Sequence, residues 1–126
     1  MTRTFINPEG LLSTPTYSHA VRVGNTIYCA GVVGLDKMAR SSPDPATQIE
    51  KAYENLRVLI EDAGARMEEI VLSRVYLTRT EHIETHRAIR SRYITSPATP
   101  YTQLIVKALG REDLICEIET IVVLEE

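Results

Sequence analysis

The stretch DPATQIEKAYENLRVLIEDAG, residues 44–64, decides the fold. Asp44 is a good N-cap, and Pro45 suits the first helical position, where its missing N–H costs nothing. Apolar residues then recur at Ile49, Ala52, Tyr53, Leu56, Leu59, Ile60 and Ala63, the spacing of one helical face. Gly64 is a suitable C′ residue to end the helix. A helix with one apolar face needs a surface to cover.

That surface lies on both sides of it. Upstream, AVRV (20–23) and TIYCA (26–30) flank Gly24-Asn25, a hairpin signal. TRTFI (2–6) mixes β-branched and aromatic residues and suits an edge strand. The segment between, rich in Pro, Gly, Ser and Thr, reads as loop, as does most of GVVGLDKMARSSP (31–43). Downstream, EIVLSRVYLT (69–78) is a strand and TEHIETHRAIRSRYI (80–94) a second helix. Its acids Glu81 and Glu84 come early and Arg87, Arg90 and Arg92 late, which complements the helix dipole. After the turn TSPATP, strands begin near Tyr101 and at Leu114. The order β-β-β-α-β-α-β-β predicts an α+β domain spanning 1–126, with two layers: about six strands and two helices on one face.

Two helices cover one sheet face only. Yet the strand after the first helix is apolar on both parities: Val71, Val75 and Leu77 on one, Ile70, Leu72 and Tyr76 on the other. The uncovered face would expose a large apolar patch, which monomers rarely tolerate. A homo-oligomer that packs sheet faces together is therefore expected.

Composition narrows the function classes. A net charge of −3, with Lys and Arg scattered, gives no electrostatic footprint for nucleic acid. No apolar run is long enough to span a membrane, and the N-terminus lacks a signal-peptide core, so a cytoplasmic protein is expected. Cys29 and Cys116 sit in apolar strand-like runs and read as buried thiols. His82 and His86 have i, i+4 spacing but no third ligand nearby, so solvated helix-face histidines are the default and no metal is expected. No phosphate loop, nucleophile elbow or cofactor motif is present.

Glu117 and Glu119 stand out in the last strand. Alternation puts both on one face, with Cys116, Ile118 and Thr120 on the other. A half-buried carboxylate has a raised pKa unless it is paired, which suits a general base near neutrality. Pairing with Arg or Lys across a subunit interface is the competing reading. Tyr17 and Ser18 stand in a loop entering a strand, where a hydroxyl could reach a site.

Taken together, PTYSHAVRVGNTIYCAGVVG (15–34), ENLRVLIEDAG (54–64), IVLSRVYLTRTEHI (70–83) and CEIETIVV (116–123) resemble the RidA (YjgF) family of small trimeric imine and enamine deaminases. The resemblance covers nearly the whole chain. It implies a chorismate-mutase-like fold, a homotrimer with clefts between subunits, a small-molecule substrate and no cofactor. It implies Glu117 as the residue that orients or deprotonates water, Tyr17 as a cleft tyrosine and Gly31 as the glycine after the third strand. Ala30 stands where the family has serine, and Arg87 where it has asparagine. Tyr101 takes the place of the arginine in the P-x-R turn that clamps the substrate carboxylate. A bidentate arginine–carboxylate pair is strong and directional, and tyrosine carries no positive charge. Losing it should weaken positioning by roughly 2–5 kcal/mol, so small 2-imino acids are expected to be poor substrates. Arg87 could compensate, or Tyr101 could bind a neutral or aromatic ligand. Three functions stay open: an imine or enamine deaminase, a non-catalytic metabolite-binding trimer, and a tailoring step on a nitrogen-containing intermediate.

Overall fold

A computed structural model describes residues 2–125. Seven strands and two α-helices follow in the order β1 (Arg3–Ile6), β2 (Ala20–Val23), β3 (Thr26–Cys29), β4 (Val32–Val33), α1 (Pro45–Asp62), β5 (Ile70–Leu77), α2 (Ile83–Tyr93), β6 (Tyr101–Ile105) and β7 (Cys116–Val123). Short 3₁₀ turns, Met67–Glu69 and Thr80–His82, lead into β5 and α2. The extra strand beyond the expected six is β4, in the glycine-bearing stretch read from sequence as loop. It exists because the last strand is long: β3 pairs with its C-terminal half and β4 rejoins the same edge further along, Val32 opposite Ile118 and Val33 opposite Glu117.

The sheet runs β1-β2-β3-β7-β5-β6. Both β4 and β5 are antiparallel to β7, one on each side, so they run parallel to each other with β7 between them. Helix α1 makes that crossover, and α2 joins the parallel pair β5 and β6. The caps of α1 form as the sequence predicts. The Asp44 side chain accepts from Thr47 N at 2.9 Å, and Gly64 follows the C-cap with φ +85°, the left-handed region where a side chain is strained.

Both helices pack on one face. Ile49, Ala52, Tyr53, Leu56, Leu59 and Ile60 of α1 are buried against Ile27, Val75, Leu77, Cys116, Ile118 and Val122. Each such side chain contributes about 1.5–3 kcal/mol of burial. The other face is half-buried or exposed. Across it, Phe5, Val21, Tyr28, Ile121 and Leu72 stand opposite one another in register over five strands, with Phe5 62% and Tyr28 49% exposed.

Two expectations are corrected. Ile70 joins the helix side, not the face of Leu72 and Tyr76, because a register irregularity between Ile70 and Leu72 leaves Val71 as an extra, exposed residue. His86 is not solvated: it is 0% exposed, and its Nε2 lies 2.6 Å from the Tyr53 hydroxyl. Helix α2 crosses over the sheet, so its His86 side points into the core.

Candidate active site on the open sheet face

Strand alternation positions the carboxylates. Cys116, Ile118, Thr120 and Val122 are buried under the helices, so Glu117 and Glu119 point to the open face. Register sets their neighbours. Val33, Glu117, Tyr76 and Leu104 form one row, and Glu119, Arg74 and Thr102 form the next.

The two glutamates differ in partners. Glu119 accepts a hydrogen bond from the Tyr76 hydroxyl and lies 3.8 Å from Arg74 Nη1. Glu117 makes no hydrogen bond or ion pair among the described residues. Burial, and secondarily the charge of Glu119, raise its pKa above the usual carboxylate range. The hydrogen bond to Glu119 in turn raises the pKa of Tyr76.

Gly31 lies flush against Glu117. A Cβ built on Gly31 would fall 2.2 Å from Glu117 Oε2, closer than any side chain tolerates. The strand that follows is held from behind by Asn55 of α1, whose amide donates to the carbonyls of Val33 and Leu35, each at 2.9 Å.

The loop before β2 folds over this region. Ala30 N donates to His19 O at 2.9 Å, and His19 N donates to Asn7 Oδ1 at 3.2 Å. Tyr17, held by Thr14 Oγ1 donating to its carbonyl at 2.6 Å, lines an open cavity of about 1160 Å³ together with Ser18, His19 and Ala30. A smaller cavity of about 80 Å³ has Tyr17, His19, Gly31 and Asn55 in its wall. Tyr17 shares one cavity wall with Ala30 and the other with Gly31, and Gly31 touches Glu117, which lines neither cavity.

Tyr101 and Arg87 are elsewhere. The Tyr101 ring is on the helix side, 6.3 Å from the His86 ring, with the Arg90 guanidinium 3.9 Å above it. The neighbouring residue on the open face is Thr102. Arg87 is 59% exposed in its side chain and lies 3.7 Å from Glu84 on the same helix. Within the chain, neither reaches the face of Glu117. Sequence reading passed over Arg74, Tyr76 and Asn55. The signal for the first two was available, since Arg74 and Tyr76 share the parity of Leu72. Their adjacency to Glu119 and Glu117 required the register. Among the described residues, no group of three or more His, Cys, Asp and Glu side chains is placed to hold a metal ion, and no helix is long and apolar enough to cross a membrane.

Fold and site define a class: a two-layer α+β protein with a partnerless carboxylate on the open face of its central strand. Known proteins match the chain in sequence and in fold. The model of the family described as Endoribonuclease L-PSP matches residues 9–124. A 2-iminobutanoate/2-iminopropanoate deaminase of Dermatophagoides farinae is 26% identical over 129 residues, covering 95% of this chain and 100% of that protein. The crystal structure of RidA from an Antarctic Psychrobacter superposes with a TM-score of 0.90 at 27% identity, over 96% of this chain and 99% of that one. The Escherichia coli protein YjgH is 26% identical, over 78% of each chain. The chain belongs to the Endoribonuclease L-PSP family, the RidA (YjgF) group that its sequence resembles.

Proposed function

We propose that the protein hydrolyses an imine or enamine, with Glu117 as the general base. The observation that carries this reading is the contrast between two carboxylates on one strand. Glu119 is occupied by Tyr76 and Arg74, whereas Glu117 is half-buried, without a partner among the described residues, and raised in pKa. A carboxylate raised above the ordinary range is a stronger base toward a water proton than a solvated one. Glu117 takes a proton from water as the water oxygen bonds to the C=N carbon, and the C=N π pair moves to nitrogen, which receives that proton from Glu117. Glu117 then takes the hydroxyl proton of the tetrahedral intermediate and passes it to the amine, so that the C–N bond breaks as the carbonyl forms and ammonia leaves. An enamine enters the same route after protonation at carbon. Similarity to a deaminase over nearly the whole chain supports the same chemistry.

The acting form is a homotrimer in which copies cover each other's open faces, with the site between subunits. The register-aligned row of Phe5, Val21, Tyr28, Ile121 and Leu72 supports this, because so much apolar surface favours burial. With no arginine in the Pro100–Tyr101 turn, the substrate sits differently from a small 2-imino acid clamped from β6.

Ammonia release from imines generated in situ by an amino acid oxidase tests the reading. Glu117→Gln should abolish catalysed release while the far-UV spectrum and assembly stay unchanged. Release at the wild-type rate would sink the assignment. Light scattering should give three times the protomer mass.

A further inference from the structure

Glu117 stands where its strand begins. It is the second residue of β7, and pairing differs on its two sides. Toward β5 the ladder runs on past it: Tyr76 stands opposite Glu117, Leu77 opposite Cys116, and Thr78 N donates to Ile115 O at 3.1 Å. Toward β4 the ladder stops at Val33 opposite Glu117. Strand ends are where a ladder opens first, so a side chain at this position depends on what holds the chain ahead of it.

A residue from behind the sheet supplies that hold. Gln48, the fourth residue of α1, is 2% exposed and uses both amide hydrogens and its oxygen. Its Oε1 accepts from Ile115 N at 2.7 Å, and its Nε2 donates to Asp113 O at 2.9 Å and to Ser42 O at 3.1 Å. A carboxamide carries the donor and acceptor of a peptide group, so Gln48 bonds residues 113 and 115 as the backbone of a neighbouring strand would. Ile115, two residues before Glu117, is thereby held from both sides. Gln48 also touches the other neighbour of Glu117: β4 leaves through Gly34, where a Cβ would meet the Gln48 carbonyl oxygen at 2.2 Å. The remaining ties between the two loops are exposed, with Ser41 Oγ donating to Asp113 Oδ2 at 2.7 Å and Arg111 donating to Asp113 and to Ala39 O. Exposed ion pairs hold little, which leaves the buried carboxamide as the main tie. All these contacts lie within one chain and away from the open face, so a covering copy leaves them in place.

We propose that Gln48 is a positioning residue for Glu117: through Ile115 and Gly34 it fixes the start of β7 and the end of β4, and so keeps the Glu117 carboxylate against Gly31. This rests on the reading of Glu117 as base and adds what aims that base.

Gln48→Met keeps the length and removes all three hydrogen bonds. Gln48→Asn keeps the amide but withdraws it by one methylene. Ile60→Ala, further along α1, is the control for a fold that is merely weakened. Ionisation of Glu117 is followed by carboxyl-carbon NMR on glutamate-labelled protein, with Glu117→Gln assigning the signal. In wild type it should titrate above the ordinary carboxylate range. Both Gln48 variants should move it down toward that range, as water reaches a carboxylate no longer held against Gly31. The acidic limb of the ammonia-release profile should move with it. Per folded protein, kcat should fall about 10- to 100-fold, the scale of a misplaced catalytic group, with KM little changed. Ile60→Ala should leave the titration and kcat at wild-type values. A wild-type Glu117 titrating in the ordinary range, a titration unmoved in both Gln48 variants, or one moved as far in Ile60→Ala would each overturn the inference. So would failure of both variants to fold and assemble, which assigns Gln48 to the fold alone. The NMR titration needs no turnover, so the two readings separate. If Glu117→Gln keeps its activity, the base assignment fails, and the Glu117 titration still decides Gln48.

Discussion

Acid should destabilise this fold through one histidine. His86 is fully buried, its Nε2 bound to Tyr53 Oη and its Nδ1 without a hydrogen-bond partner. Burial, then the charges of Arg90 and Arg87, lower its pKa from 6.5 to about 4. In the unfolded chain the ring titrates at its ordinary value, so between those pH values the unfolded state binds more protons. The neutral ring thus contributes stability that is fully present above pH 6.5 and is lost as pH falls to about 4. At 1.36 kcal/mol per pH unit, the drop from 6.5 to about 4 amounts to about 3 kcal/mol. His86→Gln removes the titration while keeping a polar side chain beside Tyr53. Urea unfolding of both proteins at fixed protomer concentration, from pH 7.5 down to 4, reads the difference. Wild type should lose about 3 kcal/mol more than the variant over that range. Parallel stability curves would refute the reasoning, since they would mean that the ring is charged in the folded state or reached by water.

Other outcomes follow from the site. The acidic limb of the deamination rate should lie above the ordinary carboxylate range, with activity rising as Glu117 ionises, and Glu119→Gln should move that limb to lower pH by removing the neighbouring charge. A limb unmoved in that variant would argue that another group controls the rate. Gly31→Ala should displace the Glu117 carboxylate, because its Cβ would meet Oε2, Cδ and Cγ at 2.2, 2.6 and 2.8 Å; loss of turnover with about 1–3 kcal/mol of destabilisation is expected, read by ammonia release and urea unfolding. Asn55→Leu leaves the carbonyls of Val33 and Leu35 without their donor. It should cost about 1–3 kcal/mol and lower turnover by loosening β4 beside Glu117.

Much of this was legible from residue order, and the limits fall at identifiable places. Helix α1 reads directly because cap, apolar face and terminating glycine all agree from Asp44 to Gly64. The common face of Glu117 and Glu119 follows from strand alternation alone. Alternation fails at Val71, where one extra residue returns Ile70 to the core. His86 misleads because α2 is polar overall, so its one deeply buried ring is set by what lies beneath it, Tyr53 and Tyr101. Tyr101 misleads for a related reason: as the first residue of β6 it pairs with Ser73 of the core face, so its ring turns to the helices.

The same parity rule explains how a carboxylate is held where one is costly. Sliding β7 by one residue would bring Glu117 and Glu119 under the helices and send Ile118, Thr120 and Val122 outward. Burying a charge without a partner costs several kcal/mol, as does exposing Ile118 and Val122. Register is thus fixed by the buried residues that alternate with the glutamates. On β5, Val75 and Leu77 hold Arg74 and Tyr76 to the open face in the same way. The irregularity at Val71 lets Ile70 reach the core without reversing them. A change at Ile118 or Val75 should therefore alter catalysis through register and packing, with stability lost first. A change at Glu117 should do so with stability retained.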